Sequence, residues 1–349
     1  MKLLDSLNKL LFSQTKKQSD NNLGKVLVVS NTGFGDTILS TPAIKSLRKS
    51  FLNEKIIFLV NKKYSALFLN YKYVDTIWEY SGGYVNLFSL IIRCRINNIH
   101  TILLFHSNSP EDIFISLLSG ANNILKWTDN IDHQYKKLFL NQVVLKEQHN
   151  IEKKIDLVRY FNPKFIDTTM SISDNFYYQA PVDYLPTKKK IIGIQLGAQD
   201  VYKIWPVENV IKLSLYLVKK NYFLVFFGAT KLEYKMMLQI EEAVGTSSIY
   251  NLVCKTKIIE LPAILKRLTL LLTNDTGILH LAIVMKVKSL SLFGPTSSKE
   301  FGAYQDIELH HSIQKNGFFV NDKPKKKRTQ DGMKLISVDE VISKIEEII

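Results

Sequence analysis

The sequence predicts an α/β protein built from two doubly wound halves, each a parallel sheet covered by helices on both faces. Two observations carry that expectation. Apolar runs of strand length alternate with stretches of helical period, and the alternation happens twice. The chain is also long enough, at 349 residues with 46% hydrophobic content, to bury two cores. Ligands in such folds collect outside the carboxyl ends of the strands, so the expected site is a cleft faced by the two halves.

Taken in order, residues 1–22 form a leading segment. Leu3, Leu4, Leu7, Leu10 and Leu11 fall within about 120° of one helical face, with Lys2, Lys9 and Lys16 opposite. That pattern suits a membrane-surface helix or a helix packed on the domain, and Gln14–Asn22 reads as a polar linker. The segment is too polar for a secretion signal and lacks a small-residue cleavage pattern. The first domain is expected over 23–180. Its strands are Lys25–Val29, Lys55–Val60, Thr76–Trp78, Thr101–Phe105 and Asn123–Lys126, and its helices are Ile38–Phe51, Tyr84–Asn97 and His149–Tyr160. Asp174–Lys189, with Pro181 and Pro186, reads as a linker.

The second domain is expected over 190–336. Strands at Ile191–Leu196, Phe223–Phe227, Ser248–Asn251, Leu268–Thr273 and Ser289–Phe293 bracket helices at Val207–Lys220, Lys231–Val244, Ile258–Arg267 and Gly277–Met285. Lys323–Arg328 is a basic loop, solvated or touching anionic lipid. Ser337-Val338-Asp339-Glu340 is a capping box that opens a last helix, so 337–349 forms a C-terminal element.

Composition narrows the function classes. Forty-six Lys and Arg against 32 Asp and Glu give a net charge of +14, which favours anionic partners: a nucleotide, a nucleic acid or a membrane surface. No zinc-finger, helix-turn-helix or RNP-like pattern accompanies the charge, which argues against nucleic acid. The longest apolar runs fall well short of the roughly 20 residues that cross a bilayer. Only Cys94 and Cys254 occur, far apart and without metal-ligand spacing, so a reducing cytoplasmic setting is expected.

The candidate chemistry lies in the turns that follow strands. Asn274-Asp275-Thr276-Gly277-Ile278-Leu279-His280 joins a strand to a helix. A helix start leaves about four N–H groups unpaired and a partial positive charge of roughly half a unit, so it favours a phosphate. Asp275 and Thr276 can cap it, Gly277 admits a ligand to the backbone, and His280 either reaches the same mouth or packs in the helix. Gly197-Ala198 follows another strand, with Lys203 just ahead of Pro206; that lysine either neutralises a phosphate or lies on the surface. Gly228 opens a third turn, and Glu233 accepts ribose hydroxyls or stabilises a first helical turn. Gly294 and Thr296 close a fourth.

In the first half, Gly33 and Gly35 permit a tight turn that leaves Asp36 at a helix start, as an N-cap or as a catalytic carboxylate, with Pro42 forcing a kink or a late start. Ile38 stands where a dinucleotide fingerprint needs its third glycine, which ranks a NAD dehydrogenase last.

Four segments in order, Gly33–Ala43, Lys203–Pro206, Asn274–Ala282 and Phe293–Thr296, resemble glycosyltransferase family 9, the bacterial heptosyltransferases of the lipopolysaccharide core, over about residues 24–349. The resemblance implies a GT-B fold of two Rossmann-like domains. It implies a nucleotide-sugar donor on the C-terminal domain, usually ADP-heptose, a lipid-linked oligosaccharide acceptor on the N-terminal domain, and inversion without a metal. By the same resemblance Asp36 is the general base. Gly197, Ala198, Lys203, Gly228, Glu233, Asp275, Thr276, Gly277, His280, Gly294 and Thr296 then line the donor site. No Asp-x-Asp occurs, so leaving-group charge would fall to Lys203, Thr276 and the N–H groups near Gly277. By position Lys62, Lys63, Arg93, Arg95 and His106–Asn108 are candidates for the acceptor.

The expected function is thus an inverting, metal-independent and cofactor-free glycosyltransferase, cytoplasmic and peripheral to the inner membrane. The alternatives are a nucleotide-sugar epimerase or hydrolase, or a non-catalytic nucleotide-dependent membrane-surface protein.

Overall fold

The computed structural model describes residues 22–107, 110–127, 148–174, 182–316 and 328–349. The expected leading helix, most of the basic loop and part of the 174–189 linker lie outside them. Two compact units emerge, one of residues 1–147 and 151–168, the other of 148–150 and 169–349.

The first unit runs β1 (Val26–Ser30), α1 (Phe34–Leu39), α2 (Thr41–Ser50), β2 (Ile56–Asn61), β3 (Thr76–Tyr80), α3 (Tyr84–Ile96), β4 (Thr101–His106), α4 (Glu111–Leu118), β5 (Asn123–Lys126) and α5 (Asn150–Arg159). Its sheet is parallel throughout, in the order β3-β2-β1-β4-β5. Every residue of β1 is buried, which is why its sequence reads as an unbroken apolar run rather than an alternating one. The single helix expected at Ile38–Phe51 is two helices. Pro42 has no N–H to offer the Ile38 carbonyl, and the Thr41 hydroxyl donates to that oxygen instead, at 2.7 Å.

Residues 163–168 close this unit against α2. The Asp167 carboxylate meets Lys45 Nζ at 3.1 Å and Lys49 Nζ at 2.6 Å, and the Asp167 N–H donates to Ser46 Oγ at 2.9 Å. Lys45 is buried. Burial lowers its pKa, and Asp167 works in the opposite direction.

The second unit runs β6 (Ile191–Gln195), α6 (Val207–Lys219), β7 (Phe223–Phe227), α7 (Lys231–Val244), β8 (Ile249–Asn251), α8 (Leu261–Leu265), β9 (Leu270–Asn274), α9 (Gly277–Val284), β10 (Ser289–Phe293), α10 (Ser298–Phe301), β11 (His310–Gln314), α11 (Asp331–Lys334) and α12 (Val338–Ile348). Its parallel sheet has the order β11-β10-β9-β6-β7-β8. Strand β11 was not anticipated, because His-His-Ser-Ile-Gln at a sheet edge buries only His310 and Ile313. The helix expected at Ile258–Arg267 is a 3-10 turn, Ile258–Glu260, followed by the short α8. The C-terminal helix is no appendage: Val341, Ile345 and Ile348 of α12 share one core with Trp205, Phe226 and Leu272. Its start is capped by Ser337 Oγ, which accepts from the Glu340 N–H at 3.2 Å.

His310 gives this unit a pH limit. Its Nδ1 lies 2.9 Å from the Ser289 hydroxyl, while Nε2 is buried without a partner among the described residues. Burial pushes the imidazole pKa down to about 4, against the opposing pull of Asp306 and Glu308. The unfolded imidazole titrates near 6.5, so between the two values the unfolded chain holds a proton that the folded chain does not. Stability should therefore be full above about pH 6.5 and fall by roughly 3 kcal/mol as pH drops through 4. Urea unfolding across that range measures the loss, and His310→Asn should flatten it.

Candidate functional site

In doubly wound sheets the ligand crevice opens where the strand order reverses, at the carboxyl ends of the two strands that flank the reversal. The reversal falls between β1 and β4 in the first unit and between β6 and β9 in the second.

At the first reversal, Ser30 of β1 is in register with His106 of β4, and the Asn31 N–H donates to the His106 carbonyl at 3.2 Å. Gly33 is the N-cap of α1, which places Asp36 in the first turn of that helix and not at its cap. The Asp36 carboxylate folds back over Gly33, so a Cβ added there would sit 2.6 Å from Asp36 Oδ2. The same oxygen lies 3.5 Å from His106 Nε2, and His106 Nδ1 is hydrogen-bonded to the Thr32 hydroxyl. If Thr32 donates to Nδ1 of a neutral imidazole, the remaining ring N–H, on Nε2, faces Asp36.

Burial holds the His106 pKa below its ordinary value; Asp36 opposes that shift, and Lys154 and Lys126 reinforce it. Lys154 of α5 is only 2% exposed, and burial lowers its pKa to about 8 against the attraction of Asp36. Lys126 is ion-paired with the buried Asp112. Three buried polar atoms at the ends of β1, β4 and β5 have no partner among the described residues: Asn31 Oδ1, Ser107 Oγ and Trp127 Nε1.

The other basic residues considered for an acceptor divide. Lys62 and Lys63 are exposed just past β2. Arg93 and Arg95 occupy the last turn of α3, and the Asn97 carbonyl that follows accepts from Lys25 at the start of β1. They therefore lie at the amino edge of the sheet, opposite the crevice. Asn108 lies outside the described residues.

At the second reversal, Lys203 closes a 3-10 turn after β6, with its Nζ 2.7 Å from Asp275 Oδ2. Thr296, beyond β10, donates to the same oxygen at 2.8 Å. Burial lowers the Lys203 pKa, but Asp275 more than offsets this and the net shift is upward. Asn274 ties the two strand ends: its Oδ1 accepts from the Trp205 N–H at 3.2 Å, and its Nδ2 donates to the Gly197 carbonyl at 3.3 Å. Thr276 is the N-cap residue of α9, but its side chain caps nothing; its hydroxyl meets Thr273 Oγ1 at 3.1 Å. Side-chain capping by Asp275 and Thr276, expected from sequence, is thus replaced by contacts to β9, Lys203 and Thr296. Gly277 opens α9, and His280 is buried within it.

Glu233 has a local task. Its Oε2 accepts from the Ala229 and Thr230 N–H groups at 2.9 and 2.8 Å, its Oε1 accepts from Gln195 Nε2 at 2.8 Å, and Thr230 completes the capping box of α7. A Cβ on Gly197 would lie 2.3 Å from Glu233 Oε1 and one on Gly228 2.8 Å from Glu233 Cβ, so this side chain occupies the space both glycines leave. Ala198 packs against the core, and Gly294 lies against the Gly332 and Met333 backbone.

The structure therefore brings together Lys203, Asp275 and Thr296, with Thr276 and Gly277 next along the chain, and Asp36 with Thr32, His106 and the field of Lys154. Sequence reasoning gave no role to Thr32, Lys154 or Asn274, although Asn274 opens one of the motifs it read. Replacing Asp275 by Asn should deprive the half-buried Lys203 ammonium of its ion pair and cost about 2 kcal/mol in chemical unfolding, between the values of exposed and buried pairs. Lys203→Met in that background should recover part of the loss, a coupling that a double-mutant cycle reads directly.

Comparison with known proteins adds the following. A family model described as glycosyltransferase family 9 (heptosyltransferase) matches residues 114–331. A second model, type III restriction enzyme res subunit, matches residues 3–178. The chain has no Gly-x-x-x-x-Gly-Lys-Ser/Thr phosphate loop.

The chain is 26% identical over 295 residues to lipooligosaccharide heptosyltransferase 2 of Campylobacter jejuni, covering 81% of this chain and 84% of that protein. Among solved structures, a glycosyl transferase family 9 protein from Veillonella parvula matches with a TM-score of 0.75 at 22% identity, covering 95% of this chain and 99% of the other. Escherichia coli ADP-heptose lipopolysaccharide heptosyltransferase II matches at 0.72 and 18%, covering 93% and 98%. An iron-containing dodecameric glycosyltransferase from enterotoxigenic Escherichia coli matches at 0.53 and 11%, covering 94% and 77%. Among the described residues of the present chain, no three His, Cys, Asp or Glu side chains are grouped to hold a metal ion.

Proposed function

From the premise that this chain belongs to glycosyltransferase family 9 and is a glycosyltransferase, we propose that it transfers a heptose or related sugar from a nucleoside-diphosphate donor, ADP-heptose foremost, to the lipopolysaccharide core. The transfer inverts the anomeric carbon, and protein groups rather than a metal carry the leaving-group charge. The acceptor is lipid-linked, and the enzyme works at the cytoplasmic face of the inner membrane as a peripheral protein.

One observation carries this reading. The crevice positions of the two sheets hold opposite kinds of chemistry, a carboxylate backed by His106 in the first and a cation fixed by Asp275 in the second.

Asp36 takes the proton of the acceptor hydroxyl as that oxygen attacks the donor carbon from the face opposite the diphosphate. His106 holds the carboxylate in place, and Thr32 selects the ring tautomer that does so. The orphan groups of Asn31, Ser107 and Trp127 are what a polyhydroxylated acceptor would satisfy. The diphosphate is met by Lys203, whose ammonium has three N–H donors and gives one to Asp275, and by the first N–H groups of α9 around Thr276 and Gly277. Gly197, Ala198, Gly228, Gly294 and Thr296 shape the rim of that pocket. Glu233 serves it indirectly through the α7 capping box, and His280 by its place in α9.

Asp36→Asn should lower acceptor-dependent transfer by roughly 10²–10⁴-fold while leaving donor affinity intact. Unchanged transfer in that variant would remove the base assignment. A thermal-shift panel of ADP-, UDP- and GDP-sugars should show the largest stabilisation with an ADP-sugar. A release assay that freed nucleotide equally well without acceptor would instead mark a hydrolase.

A further inference from the structure

The helix α3 presents two faces. Leu87, Leu90, Ile91 and Cys94 are buried against the first sheet, while Tyr84, Val85, Phe88, Ile92 and Ile96 are 77, 84, 60, 56 and 74% exposed. At 100° per residue these five side chains spread over about 120° of the solvent face and run the length of the helix, about 20 Å. Isolated exposed apolar residues need no explanation, but a continuous stripe of large ones does. The two cations of the helix go with it: Arg95 falls within the same arc, between Tyr84 and Phe88, and Arg93 lies about 60° past Ile96. Arg93 stacks 4.0 Å over the Trp78 ring, and Arg95 Nε donates to the Leu118 carbonyl at 2.6 Å. Those contacts hold the two guanidinium groups on and beside the stripe and use only part of the five donors each carries. No acidic residue occurs in α3.

We propose that this face of α3 is the surface by which the protein lies on an anionic lipid bilayer, the apolar stripe entering the headgroup boundary and Arg93 and Arg95 meeting lipid phosphates. The pattern is that of an interfacial helix, an exposed apolar face that carries cations and no acidic residue. No described helix is long and apolar enough to cross a membrane, so the contact is one of lying on the surface. Charge selects the occupant. A second copy of the chain, itself at +14, would bring the same arginines against their counterparts with no carboxylate on α3 to relieve them. An anionic lipid surface matches both the apolar stripe and its two arginines. The proposal deepens the reading of a lipid-linked acceptor and rests on it for purpose, though not for its test.

Flotation of the full chain with vesicles of phosphatidylcholine alone, or of phosphatidylcholine and phosphatidylglycerol in equal parts, reads the contact. The wild type should float with the anionic vesicles and not with the neutral ones. The combined variant Phe88→Ser, Ile92→Ser, Ile96→Ser changes only exposed positions, should keep its unfolding midpoint, and should lose vesicle affinity by roughly tenfold or more. Unchanged flotation of that variant would overturn the proposal and leave residues 1–21 or the basic loop as the membrane contact. Absence of flotation by the wild type would also overturn it. So would a wild-type dimer that the variant turns into a monomer, since the face would then belong to a second copy. Transfer to a delipidated, soluble acceptor is measured in parallel. Vesicle binding without transfer by the wild type would remove the functional reading alone, and transfer without vesicle binding would remove only the membrane surface.

Discussion

Asp275 is a carboxylate only 7% exposed, and burying it is tolerable because Lys203 and Thr296 both reach the same oxygen. A desolvated charge costs several kcal/mol unless it is matched and hydrogen-bonded. That constraint binds three segments far apart in sequence: the turn after β6, the start of α9 and the turn after β10. The neighbouring Asn274 adds the Trp205 N–H and the Gly197 carbonyl, and Trp205 in turn donates to the Ile336 carbonyl ahead of α12. The carboxyl edge of the second sheet is therefore set before any ligand arrives. Preorganisation of that kind is what electrostatic stabilisation of a departing diphosphate requires, because the charges need not move when the bond breaks.

The first sheet solves a related problem with weaker ties. Asp36 is a quarter exposed at its side chain, held by the close fit over Gly33 and by one imidazole. Its electrostatic surroundings include a buried lysine on α5, a helix that sequence places well over a hundred residues downstream. A carboxylate that exchanges a proton with a substrate cannot be saturated with hydrogen bonds, so the contrast with Asp275 is what the proposed role of Asp36 as a base calls for. Glu233, which carries three donors on its two oxygens, sits at the far end of the same scale.

Much of this arrangement is legible in the chain. Central parallel strands buried on both faces are continuous apolar runs and announce themselves; the edge strands β3, β5 and β8 still carry aliphatic or aromatic residues enough to be read, whereas β11 escapes because His-His-Ser-Ile-Gln has a single aliphatic residue. The strand-end turns at Gly33, Gly197, Gly228, Gly277 and Gly294 are visible because glycine and short polar residues interrupt those runs. The partners of the side chains in them are not. Nothing local says that His106 lies beside β1, since that depends on the strand order; nothing says that Lys154 is interior, since a helical lysine is usually solvated. The glycines next to Glu233 look like room for a ligand until the side chain that fills the room is seen. Periodicity reports burial along one element, whereas these assignments depend on which elements become neighbours.

The Asp167 clasp has a bearing on how the molecule is made. Lys49 and Asp167 are 118 residues apart, so at about 5 to 20 residues per second a ribosome needs roughly 6 to 24 s to deliver the second after the first. Through that interval the nascent sheet lacks α5 and the anion that matches Lys45, and its lysine-bearing helix has no settled cover. The N-terminal half cannot reach its final state until synthesis has already passed into the segment shared with the other half. An autonomous version of it would have to be cut after residue 168, not at 147.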